Sequence, residues 1–268
     1  MTGHGIAKAR AAARRLLRQC GVEAAEHIAI ESIAAQAGAV IVRSRGAGLD
    51  SAVARLVRMG DSAVIRISDR IDNLGAQRFS IAHELGHFVL GHQESPVPLC
   101  EAITLPSRHA TSLEAEANAF AAELLMPESL VRRRCEVSPV SLEIPRAIAT
   151  EYRVSLLAAG RRFVELTSER CALVFASGGA IRWAARSPTF VPEIESGRRL
   201  DRQSVAFDIQ HGKRDDRAQE VPASAWLDMS DDGGAEVIEH AVPVPEQNAV
   251  ASLLWIRERD AAALRCFA

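Results

Sequence analysis

Residues 78–92 read Arg-Phe-Ser-Ile-Ala-His-Glu-Leu-Gly-His-Phe-Val-Leu-Gly-His, and the pattern H-E-x-x-H lies at the centre of this stretch. Residues four apart share one face of a helix, so the imidazoles of His83 and His87 can bind one metal ion. Glu84 would then lie beside the open position of that metal, where a water binds. The pattern therefore predicts a hydrolytic metal site.

The residues around the motif predict that its helix is buried. The stretch contains no proline, and apolar residues surround the polar trio on nearly every side. Buried polar groups without partners are costly, and a metal ion would supply partners for all three. The alternative is a core helix whose histidines only form hydrogen bonds with their neighbours.

Length and composition limit the class of protein. A chain of 268 residues can form two or three small domains, and a net charge of −2 argues against a dominant nucleic-acid surface. The five cysteines are odd in number and none are at C-x-x-C spacing, which is typical of a reducing compartment. No apolar run reaches membrane-spanning length. We expect a cytoplasmic protein with no membrane partner and no direct binding to nucleic acid.

The pattern around the motif predicts a mixed first region. Apolar residues recur at helical spacing before Gly21, a hairpin turns at Gly60-Asp61, and Pro127 ends a long helix. Helices before and after a small set of strands place this region in the α+β class. The expected helices cover 6–20, 28–37, 78–92 and 112–126, and the expected strands cover 40–42, 55–59 and 63–68.

A helical segment and then a strand-rich region follow Pro127. A short helix is expected over 127–134, and helices over 142–151 and 155–166 have helix-turn-helix spacing. From Cys171 the pattern changes to short apolar runs between Gly/Asp-rich turns, with a charged loop over 211–219. Strands are expected over 172–176, 180–184, 236–242 and 250–257. The predicted domains are 1–127, 128–168 and a separate strand-rich α/β domain over 169–268.

A catalytic zinc site needs a third protein ligand in addition to the two histidines. Glu114 and Asn118 are four residues apart on the next helix, so they share a face. We expect Glu114 to bind the metal and Asn118 to hold one of the metal-bound imidazoles. Glu116 is the alternative ligand, although it points about 200° around the helix from Glu114. A capping box with Thr111 is the other role open to Glu114.

His92 is the other histidine close to the motif. On a continuing helix it would point away from His87, so we expect a surface histidine or an outer partner of the site. His92 and His109 are the candidates for stabilising the oxyanion during hydrolysis. Residues 63–68 could form an edge strand to which the backbone of a substrate adds. The alternative is an interior strand that already has partners on both sides.

Two blocks of sequence resemble the ImmA/IrrE family of metallopeptidases: R-F-S-I-A-H-E-L-G-H over 78–87, and E-x-x-A-N-x-F-A-A-E-L-L-M-P over 114–127. The resemblance implies a thermolysin-like zincin domain, a helix-turn-helix-like segment and, as in some members, a GAF-like C-terminal sensor domain. It implies that His83, His87 and Glu114 bind Zn²⁺, with Mn²⁺ as the other candidate, and that Glu84 is the general base. It also implies cleavage of a helix-turn-helix repressor, which relieves repression in a stress or mobile-element response.

Two other functions remain open. The first is a DNA-binding regulator that uses the helix pair over 142–166, but residues 155–160 lack the side chains that read base edges. The second is a ligand-sensing regulator with an accessory metal site. In that case Trp183, Trp226 and Trp255 would line a small-molecule pocket, although tryptophan is more often a core residue.

Overall fold

The computed structural model describes residues 2–44, 54–69, 73–92, 112–213, 217–228 and 234–264. The chain divides into two compact units, Met1–Val131 with Ile148–Ala158, and Arg132–Ala147 with Ala159–Ala268. Helices and strands are mixed in the chain, as the α+β class requires. The division into 1–127, 128–168 and 169–268 stays a prediction. Within the described ranges, no helix is long and apolar enough to cross a membrane.

The first unit contains a small sheet and the two helices that carry the motif blocks. Three further helices, each with residues in both units, follow the second block at the positions expected for the short helix and the helix pair. The elements are α1 (Thr2–Gln19), α2 (Ile30–Gln36), β1 (Ala39–Ser44), β2 (Ala54–Met59), β3 (Ser62–Ser68), α3 (Leu74–Leu90), α4 (Ser112–Leu125), α5 (Glu128–Cys135), α6 (Glu143–Tyr152) and α7 (Leu156–Leu166).

The described strands of the first unit form a three-stranded sheet in the order β1-β3-β2. β3 is antiparallel to β2 and parallel to β1, and Met59 pairs with Ser62 across the Gly60-Asp61 turn. The predicted hairpin is confirmed, with Gly60 at φ +64°. The prediction that residues 63–68 form an edge strand was wrong, because β1 and β2 occupy both sides of β3. A substrate strand cannot add to β3.

The two motif helices, α3 and α4, pack directly against each other, and α3 also packs on β2 and β3. Gly86 makes the close approach of α3 to α4 feasible. A Cβ at this position would lie 3.1 Å from Cδ1 of Phe120 and 3.2 Å from the carbonyl oxygen of Ala117. Since Phe120 is fully buried, neither neighbour can move freely.

We therefore expect Gly86→Ala to destabilise the protein by about 1–3 kcal/mol through overpacking. Urea denaturation followed by far-ultraviolet circular dichroism measures the change. Gly3→Ala is the matched control, since a Cβ at Gly3 in α1 meets nothing within 4 Å. Equal unfolding midpoints for the two variants would mean that the helices have room for a methyl group here.

The second unit contains an antiparallel five-stranded sheet in the order β5-β4-β8-β7-β6. The four strands predicted for this region are confirmed. β6 was not predicted: it begins where the expected charged loop ends, and this short edge strand buries only Val221. α8 and α9 were not predicted either, because they are too short for a clear helical period. The elements are β4 (Cys171–Ser177), β5 (Ala180–Arg186), α8 (Val205–Gln210), β6 (Gln219–Pro222), β7 (Glu236–Val244), β8 (Ala249–Trp255) and α9 (Glu258–Leu264).

The three tryptophans of this unit make packing contacts or hydrogen bonds within it. Trp226 and Trp183 are buried, and the Trp183 ring stacks on Phe175 with 5.5 Å between centroids. The indole N–H of Trp255 donates to Glu169 at 2.9 Å. These contacts give the three rings structural roles, and a ligand pocket beside them stays a prediction.

A fully buried carboxylate, that of Glu239 on β7, joins several elements of the second unit. It accepts hydrogen bonds from the backbone N–H groups of Val205 and Ala206 at the start of α8, each at 2.8 Å. The indole N–H of Trp226 donates to it at 2.9 Å and the hydroxyl of Ser252 at 3.0 Å. Burial raises the pKa of Glu239, and these four donors oppose that effect.

Candidate metal centre

The end of α3 differs from the continuing helix expected from the sequence. The helix stops at Leu90, and Gly91 takes a left-handed conformation with φ 74°. The N–H of Gly91 donates to the carbonyl of Phe88 at 3.2 Å, and that of His92 donates to the carbonyl of His87 at 3.0 Å. These are the two bonds of a Schellman motif, which reverses the chain direction. The prediction that His92 points away from His87 was therefore wrong.

Arg58 of β2 connects the C-terminal end of α3 to the sheet through hydrogen bonds. Its Nη2 donates to the carbonyl oxygens of His87 at 2.8 Å and Phe88 at 2.9 Å. The guanidinium also lies over the Phe88 ring, 5.0 Å from the centroid. A cation at a helix C-terminus satisfies carbonyls that have no partner within the helix and complements the helix dipole. This contact therefore limits the movement of the turn that carries His87.

His83 and His87 of α3 and Glu114 of α4 come together at one point, with one potential ligand atom from each within 4.8 Å of the others. The Nε2 atoms of the two histidines are 3.0 Å apart. Glu114 places Oε2 3.2 Å from Nε2 of His83 and Oε1 3.4 Å from Nε2 of His87. Donors on one tetrahedral zinc ion stand about 3.3 Å apart at normal bond lengths. The three residues could therefore hold a metal ion with little movement.

The charges in this cluster suit a divalent cation. Hydrogen bonds from His83 and His87 hold the pKa of the Glu114 carboxyl far below its usual range, although burial opposes them. Burial acts to lower the pKa of His83, but the hydrogen bond with Glu114 and the charge of Glu84 outweigh it and raise the pKa. Glu114 is thus anionic at neutral pH, which is the form that a metal binds.

Asn118 lies behind His83, on the side away from Glu114. Its Oδ1 is 3.0 Å from Nδ1 of His83. An amide oxygen only accepts hydrogen bonds, so Nδ1 of His83 is the donor in this contact. A neutral His83 that binds a metal through Nε2 would carry its hydrogen on the same Nδ1. The shared face of Glu114 and Asn118, inferred from their spacing, accounts for this placement.

His92 and Glu116 meet behind the second histidine. Nδ1 of His92 is 3.0 Å from Nδ1 of His87, and Nε2 of His92 is 3.3 Å from Oε2 of Glu116. His92 is only 7% exposed, and burial, followed by the charge of His87, lowers its pKa. The contact between His92 and Glu116 was not predicted. Leu90-Gly91-His92 could have indicated it, because glycine after the last helical residue indicates a reversal of the chain.

Glu84, the expected general base, is buried on α3 with 8% exposure. Its charge is close enough to raise the pKa of His83. Two other candidates, Thr111 as the partner of Glu114 in a capping box and His109 as an oxyanion partner, lie outside the described residues.

The sequence comparisons place the site within a known domain. Residues 34–164 match the family described as the IrrE N-terminal-like domain, peptidase family M78. This match spans the sheet, both motif helices and most of the helix pair. No curated protein matches the sequence.

The structure comparison gives similarity across most of the chain. A solved structure of a Mycobacterium tuberculosis transcriptional regulator has a TM-score of 0.58 and 14% identity, and the alignment covers 96% of this chain and 77% of that one. At this identity the similarity shows the fold alone. The expected relationship to the ImmA/IrrE metallopeptidases is confirmed by the family match, which covers residues 34–164, just under half of this chain.

Proposed function

We propose that this protein is a zinc-dependent metalloendopeptidase that cleaves a helix-turn-helix transcriptional repressor in the cytoplasm. In this proposal His83, His87 and Glu114 bind the metal, Asn118 orients His83 and Glu84 is the general base. One observation carries the proposal: two imidazole nitrogens and one carboxylate converge at 3.0–3.4 Å within a domain of a peptidase family. Two nitrogens and one oxygen are a ligand set of catalytic zinc, with Mn²⁺ as the alternative metal.

Each residue of the site has a separate role in peptide hydrolysis. A zinc ion bound there would supply a water of lowered pKa and a positive charge beside the scissile carbonyl. The Glu84 carboxylate takes a proton from the water as the oxygen of that water attacks the carbonyl carbon. Glu84 then returns the proton to the amide nitrogen as the C–N bond breaks. Asn118 holds His83 by its Nδ1–H throughout, so the ligand geometry does not change.

The regulatory part of the proposal has separate support. The structurally similar Mycobacterium tuberculosis protein is named a transcriptional regulator. A cut repressor would release its genes, in keeping with a stress or mobile-element response. A repressor segment that adds to the sheet as a strand must pair with β1 or β2, because β3 has partners on both sides. The zincin-like and GAF-like descriptions of the two halves are part of this proposal.

Direct DNA binding is less well supported. Leu157 and Ala159, near the start of α7, are buried, so they are not available to contact base edges. A metal site built from α3 and α4 has no part in such a function. The peptidase proposal accounts for the site, and the DNA-binding proposal does not.

A cleavage assay tests the proposed function. The purified protein is loaded with Zn²⁺ and mixed with a helix-turn-helix repressor, taken from the neighbouring gene if one is encoded there, and the products are identified by mass spectrometry. We expect one or a few cuts, which cease when EDTA removes the metal. A zinc-loaded protein that leaves this repressor intact would contradict the choice of substrate, and one that also leaves unfolded proteins intact would contradict the peptidase activity.

Glu114→Ala should abolish stoichiometric zinc binding. We expect the affinity for Zn²⁺ to fall by more than the roughly 10–100-fold typical of outer partners, because a ligand itself is lost. Metal analysis after dialysis and competition with a chromophoric chelator measure the change. Glu143→Ala is the control, since the Glu143 side chain is 64% exposed and lies on α6. Equal zinc content in both variants would remove Glu114 from the metal centre.

A further inference from the structure

We propose that Glu116 and His92 form a hydrogen-bonded relay that positions His87 for metal binding, and that Gly5 keeps space for the Glu116 carboxylate. The contacts run in series from Oε2 of Glu116 to Nε2 of His92 at 3.3 Å, and from Nδ1 of His92 to Nδ1 of His87 at 3.0 Å. The inference rests on the metal centre proposed above. It gives roles to two residues that are not themselves ligands.

The hydrogen positions along the relay follow from which ring nitrogen of His87 would bind the metal. Its Nε2 is the nitrogen that lies toward His83 and Glu114, so a neutral His87 that binds metal through Nε2 carries its hydrogen on Nδ1. That N–H donates to Nδ1 of His92, which must then accept. The hydrogen of a neutral His92 is consequently on Nε2, where it donates to the Glu116 carboxylate. One arrangement of hydrogens therefore satisfies every nitrogen of the two rings.

The relay gives His87 a different environment from that of His83. His83 is held by the neutral amide of Asn118, whereas His87 is held through an imidazole by a carboxylate. A carboxylate behind a metal-bound histidine fixes its orientation and makes the imidazole a stronger base. His92 is 7% exposed, so little water competes for these hydrogen bonds. The two rings also meet edge to face, with an interplanar angle of 71°.

The first helix contributes the space that the carboxylate needs. A Cβ on Gly5 of α1 would overlap Oε1 and Cδ of Glu116. Glycine within a helix is less favourable than alanine by about 1 kcal/mol. The close contact with the Glu116 side chain explains why glycine is found at this position. Gly3 on the same helix has nothing within 4 Å of a built Cβ, so it offers a matched comparison.

Zinc affinity tests the relay without any need for a substrate. The dissociation constant for Zn²⁺ is measured by competition with a chromophoric chelator, and the melting temperature of the metal-free protein is followed in parallel. We expect Glu116→Ala to weaken zinc binding by about 10-fold, the lower end of the range for outer partners, with little change in melting. Gly5→Ala should also weaken it, whereas Gly3→Ala should match the parent.

A double variant separates the relay from general damage to the fold. If Gly5→Ala acts only by displacing the Glu116 carboxylate, then adding it to Glu116→Ala should weaken zinc binding no further. Nitrogen NMR of the zinc-loaded parent should show His92 with its hydrogen on Nε2. Additive losses in the double variant, or a hydrogen on Nδ1 of His92, would overturn the relay.

Failure of the relay and failure of the metal centre give different results. Zinc binding that survives Glu114→Ala would contradict the metal centre itself. Zinc binding that is lost in Glu114→Ala but unchanged in Glu116→Ala and Gly5→Ala would contradict only the relay.

Discussion

Glu84→Gln should lower the rate of peptide cleavage by about 10²–10⁴-fold and leave zinc binding intact. The amide has nearly the shape of the carboxylate, but it cannot take a proton from the attacking water. Since Glu84 is not one of the three converging donors, the ligand set is unchanged. The rate is measured on the repressor that the parent protein cleaves, with both proteins loaded with Zn²⁺ and their metal content determined.

The matched control is Glu31→Gln on α2, where the side chain is 52% exposed and pairs with Arg43. It makes the same chemical change away from the site and should cleave at the parent rate. Near-parent cleavage by Glu84→Gln would assign the base to another residue. Loss of zinc from this variant would mean that Glu84 helps to hold the metal.

Glu239→Ala should destabilise the second unit by about 3–5 kcal/mol, the largest stability effect that we expect in this chain. The substitution leaves four buried donors facing a cavity: two backbone N–H groups, an indole N–H and a hydroxyl. All three tryptophans of the chain are in this unit, so their fluorescence during urea denaturation reports its unfolding. The unfolding midpoint should shift to lower urea concentration.

Two further variants define what the Glu239 carboxylate does. Glu239→Gln should give an intermediate loss, because one amide oxygen still accepts while the NH₂ group faces two donors. Glu193→Ala removes a carboxylate that is 91% exposed and should leave the midpoint unchanged. If Glu239→Ala unfolds at the parent midpoint, the four hydrogen bonds contribute nothing net to stability.

Part of the candidate site was predictable from spacing. The interval from His83 to His87 and the interval from Glu114 to Asn118 are each four residues, and each pair shares a face because both segments are helical. Glu114 and Asn118 consequently approach the histidines together, as the sequence predicted. The roles of these residues in metal binding and catalysis remain predictions that the variants above test.

The surroundings of the second histidine were not predictable in the same way. The prediction for His92 assumed a continuing helix, but Gly91 takes a left-handed conformation and the chain turns back. Glu116 lies on the far side of its own helix from Glu114, and it reaches His92 only because His92 has turned. Gly5 is separated from both by most of the first unit's sequence, so no local pattern connects them.

The sequence by itself determined the helices and strands that alternate with clear periods, the motif blocks and the relationship to the IrrE N-terminal-like domain, because these depend on residues close together in the chain. Only the tertiary structure decided that β3 is the central strand, that Glu239 lies at the centre of a buried hydrogen-bond network and that His92 lies between His87 and Glu116. These facts depend on which distant segments pack together, and such contacts leave no regular spacing in a single sequence.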